Sequence, residues 1–358
     1  MARVYNFNAG PAVLPLEVLE EARDQFVEYQ SSGMSLLESS HRGKEYDAVH
    51  AEALANYRKL INCSDDYAIC FIAGGASLQF AMLPLNLLGE GQTADYVNSG
   101  AWASKAVKEA QLVGKVNIAA NTAKDIPTKV PSISDLKLTK GAAYVHITSN
   151  ETISGAQWKS FPKTESPLVA DMSSDILSHP FDIGQFGLVY AGAQKNLGPS
   201  GLALVVVRKD LAERAPEKLS TILKYKTFIE ENSLYNTPPC FSIYIMMLVS
   251  RWMLKIGLEN LYRRNREKAS KIYAAIDGGG FYKGTAVREC RSDMNLTFRL
   301  PSEALEEQFI KEASKMGLKG LKGHRSVGGI RASIYNAFPS EGVDALIAFM
   351  REFESKNG

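Results

Sequence analysis

Pro167-Leu-Val-Ala-Asp171-Met-Ser-Ser-Asp175, then Leu188-Val-Tyr-Ala-Gly-Ala-Gln-Lys195-Asn196, then Leu202-Ala-Leu-Val-Val-Val207, is the stretch that organises this chain. Three apolar runs of strand length follow one another. The first closes on an acid and the second leads into a lysine. The third is apolar at every position, so it needs cover on both faces and suits a central strand of a layered sheet. A carboxylate and a lysine at the ends of buried strands suit pyridoxal phosphate. The lysine amine can form a Schiff base with the aldehyde, and the carboxylate can keep the pyridine nitrogen protonated so that the ring accepts electrons. Alone, the same pair also describes a strand cap and a solvated lysine. The rest of the chain decides between the two readings.

Outward from this stretch the pattern repeats. Apolar runs at 67–72, 95–98, 116–119 and 144–148 precede those at 168–170, 188–190 and 202–207, with polar or helical stretches between them. Short buried strands alternating with helices predict an α/β domain with a mainly parallel sheet. Pro11 and Pro15 predict an extended arm running into a helix at 16–30. Val49, Ala53, Tyr57 and Leu60 recur at helical spacing in a second helix, 44–61. Around Pro238 the pattern changes. Helices at 239–256 and 259–276 lead to Gly278-Gly-Gly280, then strand 294–300, helix 302–316, strand 330–335 and helix 341–353. These predict a second, smaller α+β domain, and a cleft between domains is a favoured place for a ligand.

Composition sets the class. The 358 residues are 45% hydrophobic and 22% charged, with a formal net charge of +2, which is ordinary for a soluble globular protein and gives no argument for a nucleic-acid or membrane partner. The first residues lack the apolar core of a signal peptide, so a cytoplasmic location is expected. The most apolar run, 243–249, is far short of a membrane span and reads as a buried helix. Cys63, Cys70, Cys240 and Cys290 show no metal-ligand spacing, and no histidine pair forms a metal motif, so no metal is expected. Asn150-Glu-Thr152 and Asn295-Leu-Thr297 match the glycosylation pattern by accident.

Several segments fit a phosphorylated cofactor and an anionic substrate. Cys70-Phe-Ile-Ala-Gly74-Gly75-Ala76-Ser77 reads as strand, small-residue turn and helix start. There, free N–H groups and the Ser77 hydroxyl can donate to a phosphate. Trp102, just past a strand end, can stack on a pyridine ring, and Thr152 can bond its hydroxyl. Basic groups occur as His41-Arg42, His324-Arg325 and Arg331, all beside small residues. Arginine grips carboxylate and phosphate with a planar fork, and histidine adds a donor. Two His-Arg dipeptides point to a doubly charged anion such as a phosphate monoester.

Together these segments resemble the phosphoserine aminotransferases, fold-type I pyridoxal phosphate enzymes of class V. Phe7-Asn-Ala-Gly-Pro-Ala12, Ser39-Ser-His-Arg-Gly43, Gly74-Gly-Ala-Ser-Leu-Gln-Phe80, Asp171-Met-Ser-Ser-Asp175, Gly192-Ala-Gln-Lys-Asn196, Tyr235-Asn-Thr-Pro-Pro239 and Gly329-Ile-Arg-Ala-Ser-Ile-Tyr-Asn-Ala337 look like that family's motifs, in its order. The resemblance implies a large domain, residues 16–257, with a mainly parallel seven-stranded sheet, and a small domain from residues 1–15 and 258–358. It implies one pyridoxal phosphate per subunit, in Schiff-base linkage to Lys195, with Asp171 on the pyridinium, Trp102 stacked on the ring and Thr152 on its hydroxyl. Ala76, Ser77 and Gln194 would hold the cofactor phosphate, with Asn236 and Thr237 reaching in from the second subunit of a homodimer. Arg331 would take the substrate α-carboxylate. His41 and Arg42, again from the second subunit, would join His324 and Arg325 on the distal anion. Some members carry an arginine where this chain has Ser77, which leaves the distal site one cation fewer. The implied reaction passes an amino group from L-glutamate to 3-phosphohydroxypyruvate in serine biosynthesis, with 4-phosphohydroxy-L-threonine of pyridoxine biosynthesis as a second product. An alanine–glyoxylate-type aminotransferase or a cysteine desulfurase would share Lys195 and Asp171 without needing both His-Arg pairs. A non-catalytic binding protein of the same fold would not need the lysine.

Overall fold

The computed structural model describes residues 3–124 and 127–358. Its centre is a seven-stranded sheet formed by β1 (Tyr67–Ala73), β2 (Thr93–Asn98), β3 (Lys115–Asn121), β4 (Val145–Thr148), β5 (Leu168–Asp171), β6 (Leu188–Gly192) and β7 (Leu202–Arg208). All seven runs expected as strands are strands. Their spatial order is β1-β7-β6-β5-β4-β2-β3, and every pairing from β6 to β3 is parallel.

β7 departs from the parallel expectation, running antiparallel to both β6 and β1. The reason is its connection. Only residues 193–201 separate β6 from β7, too few for the crossover that a parallel neighbour requires, so the chain turns back beside the strand it has just left. β7 is covered on both faces as its composition demands, and Leu202 through Val207 are all buried.

The sheet is sandwiched between helices. On one face lie α1 (Leu16–Asp24), α2 (Lys44–Ile61) and, from later in the chain, the apolar helix Cys240–Ile256. Tyr46, Tyr57, Phe71, Leu204, Met246 and Met247 share their core. On the other face lie α3 (Gly75–Leu87) and α4 (Ala101–Val113), packed through Phe80, Leu83, Ala106 and Tyr190. Each fully buried large apolar side chain adds roughly 1.5–3 kcal/mol by leaving water. The expected helix at 16–30 stops at Asp24. Beyond it Gln30 and Ser31 take left-handed φ angles of 46° and 61°, and Ser35 Oγ donates to the Phe26 carbonyl at 2.6 Å. The Ser31-Ser-Gly33 run forms a turn rather than another helical turn.

A third core belongs to the end of the chain. α5 (Cys240–Ile256) leads into α6 (Leu258–Gly278), and the elements β8 (Lys283–Gly284), β9 (Asn295–Arg299), α7 (Glu303–Lys315), β10 (Ile330–Ser333) and α8 (Ser340–Asn357) follow. β8, β9 and β10 make a three-stranded antiparallel sheet. Phe298, Phe309, Leu346 and Phe353 fill its core, and Phe7 and Val13 of the N-terminal arm join them. The arm is tied down by Tyr5–Asn6, which pairs in parallel with Leu318–Lys319. Among the described residues no single helix is long and apolar enough to cross a membrane. The run at 243–249 is a buried stretch of α5.

Candidate active site

The carboxyl ends of β1, β2, β4, β5 and β6 open on one side of the sheet, and a cavity of about 360 Å³ lies there. Its wall includes Gly74, Gly75, Ala76 and Ser77 after β1, Trp102 after β2, Thr148, Asn150 and Thr152 at and beyond the end of β4, Asp171 and Ser173 at and beyond the end of β5, and Gln194 and Lys195 after β6. A crevice outside the carboxyl ends is where open α/β sheets place ligands. A larger groove, about 610 Å³, lies between α6 and α8. None of the expected site residues lines it, whereas Ala76, Ser77, Trp102, Thr152, Asp171, Gln194 and Lys195 all line the smaller cavity.

Lys195 stands at the centre. Its side chain is buried, and Nζ donates to Thr152 Oγ1 at 2.7 Å. Its pKa is lowered from 10.5 to about 8, chiefly by burial; the Asp171 charge opposes the shift and the Arg331 charge adds to it. Asp171 ends β5. Its Oδ1 accepts from Ser173 N at 2.9 Å and Ser173 Oγ at 2.6 Å, and that hydroxyl accepts in turn from Gly192 N at 2.9 Å. Burial raises the Asp171 carboxyl, while the Ser173 bonds and the Lys195 charge pull it down. Among the described residues no hydrogen bond engages Oδ2. The carboxylate is thus held by one oxygen, and the other remains for a ligand.

Two helix starts face the cavity. α3 begins at Gly74 and Gly75, whose φ angles of 99° and 63° are open to glycine and strained for other residues. Among the described residues no side chain caps this end, so its N–H groups, with the Ser77 hydroxyl, can serve a phosphate. α4 carries Trp102 in its first turn, and Lys195 Nζ lies 5.5 Å from the indole centroid.

The start of α4 is held by a residue that the sequence reading passed over. Glu151, fully buried, accepts from Ser99 Oγ at 3.2 Å, Trp102 N at 3.3 Å and Ala103 N at 3.2 Å. A Cβ on Gly100 would lie 2.5 Å from the Glu151 carboxyl carbon, so only glycine leaves room for this cap. Burial raises the Glu151 carboxyl to about 7, against the hydrogen bonds that favour its charge. The available signal was a glutamate directly before Thr152 in an otherwise apolar and small-residue neighbourhood. In the same loop Asn150 is buried, and its Nδ2 donates to Ser174 Oγ and Asn295 Oδ1, both at 2.8 Å. Asn295 is buried as well, and its Nδ2 donates to Ser333 Oγ and Tyr335 Oη. Both amides thus serve internal bonding, as the incidental glycosylation matches require.

The expected anion-binding residues fall into two groups. Arg331, on β10, reaches toward the cavity from the small sheet. Among the described residues its only side-chain hydrogen bond is a long one, 3.5 Å from Nη1 to the Thr152 carbonyl, and its Nε is buried without a partner. His324 lies nearby. Its own burial and then the charges of Arg331, Arg325 and Lys105 push its pKa down. The second group is elsewhere. His41, Arg42, Asn236 and Thr237 do not line the cavity of their own chain. They lie together, with Arg42 Nη2 donating to the Leu234 carbonyl at 3.3 Å and Asn236 and Thr237 exposed. The N-terminal arm closes over the lysine turn, where Ala12 N donates to the Gln194 carbonyl at 2.9 Å.

The likeness to known proteins follows this geometry. The Aminotransferase class-V family model matches residues 4–346. The phosphoserine aminotransferase of Niallia circulans is 57% identical over 359 residues, covering 99% of both chains. Among solved structures, the phosphoserine aminotransferase of Bacillus circulans subsp. alkalophilus superposes with a TM-score of 0.98 at 56% identity, over 99% of each chain. The pyridoxal phosphate-bound phosphoserine aminotransferase of Trichomonas vaginalis gives 0.94 at 39% identity, over 98% of this chain and 100% of that one. Sequence and fold agree along essentially the full length, and the chain belongs to the phosphoserine aminotransferase family of class-V aminotransferases.

Proposed function

We propose that this chain transfers the amino group of L-glutamate to 3-phosphohydroxypyruvate, reversibly, giving 2-oxoglutarate and O-phospho-L-serine. One observation carries the reading. A buried lysine amine and a buried carboxylate flank one cavity, and an uncompensated guanidinium, Arg331, stands beside them. The family implies pyridoxal phosphate, and the residues present fit it. Asp171 keeps an oxygen for a ring nitrogen, Trp102 offers a flat wall, and the start of α3 offers N–H donors to a phosphate. When bound through Lys195, one per subunit, the cofactor supplies an electron sink for the substrate Cα.

The chain's own residues then do the following. Lys195 takes the Cα proton as a neutral amine, a form that its lowered pKa makes far more accessible near neutral pH than in a solvated lysine. Asp171, fixed by Ser173, holds a proton on the ring nitrogen. Thr152 holds the lysine amine of the cofactor-free chain and would serve the ring hydroxyl once the cofactor is bound. Ala76, Ser77 and Gln194 hold the cofactor phosphate. Arg331 grips the α-carboxylate common to both substrates, a planar fork on a planar acid. His324 and Arg325 take the distal group, a carboxylate in glutamate and a phosphate in the acceptor.

His41, Arg42, Asn236 and Thr237 serve the site of a second subunit in a homodimer. Two facts support this. The four lie together outside their own cavity, and Phe26, Val27, Met34, Leu37 and Tyr235, on the same two segments, leave large apolar side chains exposed. The same charged ends would admit 4-phosphohydroxy-L-threonine as a second product, and the enzyme would work in the cytoplasm. Among the described residues no cysteine lines the cavity, which argues against the desulfurase alternative. The test is the visible spectrum of the purified protein. Colour bleached by L-glutamate and restored by 3-phosphohydroxypyruvate supports the reading. Bleaching that only other keto acids reverse would replace the acceptor, and a protein that takes up no pyridoxal phosphate would end it.

A further inference from the structure

Lys105 is a cation that no motif singles out. It lies one helical turn beyond Trp102 on α4, on the same face, and its Nζ sits 4.2 Å from the indole centroid. An exposed lysine ordinarily stands away from its helix in water. This one is laid over the aromatic wall of the cavity. Its charge is also close enough to His324 to disfavour a proton there, together with Arg331 and Arg325. Among the described residues no carboxylate comes within 4.0 Å of the charged groups of Lys105, Arg325 or Arg331. Three positive charges therefore act together on His324, and among the described residues no carboxylate pairs with any of the three. Such a group repels itself, and an anionic ligand relieves that repulsion.

We propose that Lys105 is a specificity-determining residue of the distal anion site, favouring a doubly charged phosphate over a singly charged carboxylate. The inference rests on the substrate reading above and extends it to a residue outside every expected set. Its logic is the charge of the ligand. To first order a cation at fixed distance attracts a dianion with twice the energy it gives a monoanion. Loss of the cation then raises the KM of the dianion by the square of the factor for the monoanion.

Lys105→Met tests this, because methionine keeps an apolar stem over Trp102 and removes only the charge. The expected result is a KM for 3-phosphohydroxypyruvate raised about tenfold and a KM for L-glutamate raised about threefold, with kcat nearly unchanged. Lys105→Arg should restore most of both. Equal factors for the two substrates, or none, would overturn the proposal. So would a common fall in kcat with faster release of pyridoxal phosphate on dialysis, which would make Lys105 a support for Trp102 instead. Wild-type protein provides the separating control. If it turns over 3-phosphohydroxypyruvate normally while Lys105→Met behaves like it, only the Lys105 inference fails. If wild type does not use that acceptor, the substrate reading fails and takes this inference with it.

Discussion

Removing the cofactor and following its return across pH isolates the chemistry of Lys195. Only the neutral amine attacks an aldehyde, so the recombination rate follows the neutral fraction of this one side chain. Burial brings its pKa from 10.5 to about 8. At pH 7 about one amine in ten is then neutral, against about one in 3,000 for a solvated lysine, a gain of roughly 300-fold. The rate of recovery of visible absorbance with pyridoxal phosphate should therefore rise with pH and level off with a midpoint near 8. Arg331→Met removes a like charge and should move that midpoint up. Asp171→Asn removes an opposite charge and should move it down. A midpoint near the solvated value would refute the idea that burial tunes the lysine, and one near 8 that ignores both substitutions would refute the part given to Arg331 and Asp171. The sign carries over to stability. A depressed pKa means that the folded apoprotein binds fewer protons than the unfolded chain between about 8 and 10.5. Its thermal midpoint should rise with pH through that window, and fall as pH drops from 10.5 towards 8, by up to about 3 kcal/mol of stability.

Glu151→Gln replaces the carboxylate that accepts from Trp102 N and Ala103 N with an amide whose nitrogen cannot accept. Two charge-assisted bonds, about 1.5–3 kcal/mol each, are weakened, while the cost of a buried charge, also about 3 kcal/mol, is relieved. Overall stability should thus change by less than about 3 kcal/mol, but the start of α4 should loosen and pyridoxal phosphate should dissociate about tenfold more readily on dialysis. Unchanged retention would reduce Glu151 to a space-filling group. Arg42→Ala should leave the cofactor bound and raise the KM for 3-phosphohydroxypyruvate, by an amount on the order of 2–5 kcal/mol for a lost charge contact. Mixing it after dissociation with Lys195→Ala should recover about a quarter of wild-type activity, because half the dimers are then mixed and each holds one intact site. No recovery would show that Arg42 does not act across subunits.

The parts of this molecule that were legible in its sequence are those where one residue's chemistry and its position on a strand coincide. Asp171 and Lys195 follow apolar runs that have no other way to lie than in a buried sheet, so their side chains emerge at its edge. The β7 run was legible as doubly covered because Leu202 to Val207 leave no polar face. Its direction was not, since direction depends on the nine-residue link from β6 and not on the strand itself. The helix expected at 16–30 failed for a similar reason. Its apolar spacing continues to Tyr29, but the Ser35 hydroxyl takes the Phe26 carbonyl, a contact nine residues along that periodicity does not register. Glu151 and Lys105 mark the limit at the site. Each acts on α4, but Glu151 lies some fifty residues from the N–H groups it caps, and Lys105 matters only because β10 and the loop before it bring Arg331 and His324 alongside. A carboxylate that caps a helix from a different strand, and a lysine that faces charges from a different sheet, are written in the fold and not in local spacing. The same separation explains why His41, Arg42, Asn236 and Thr237 carry a strong motif yet stand outside their own cavity. In the proposed homodimer their partner is a surface on another chain, which a single chain's packing does not determine.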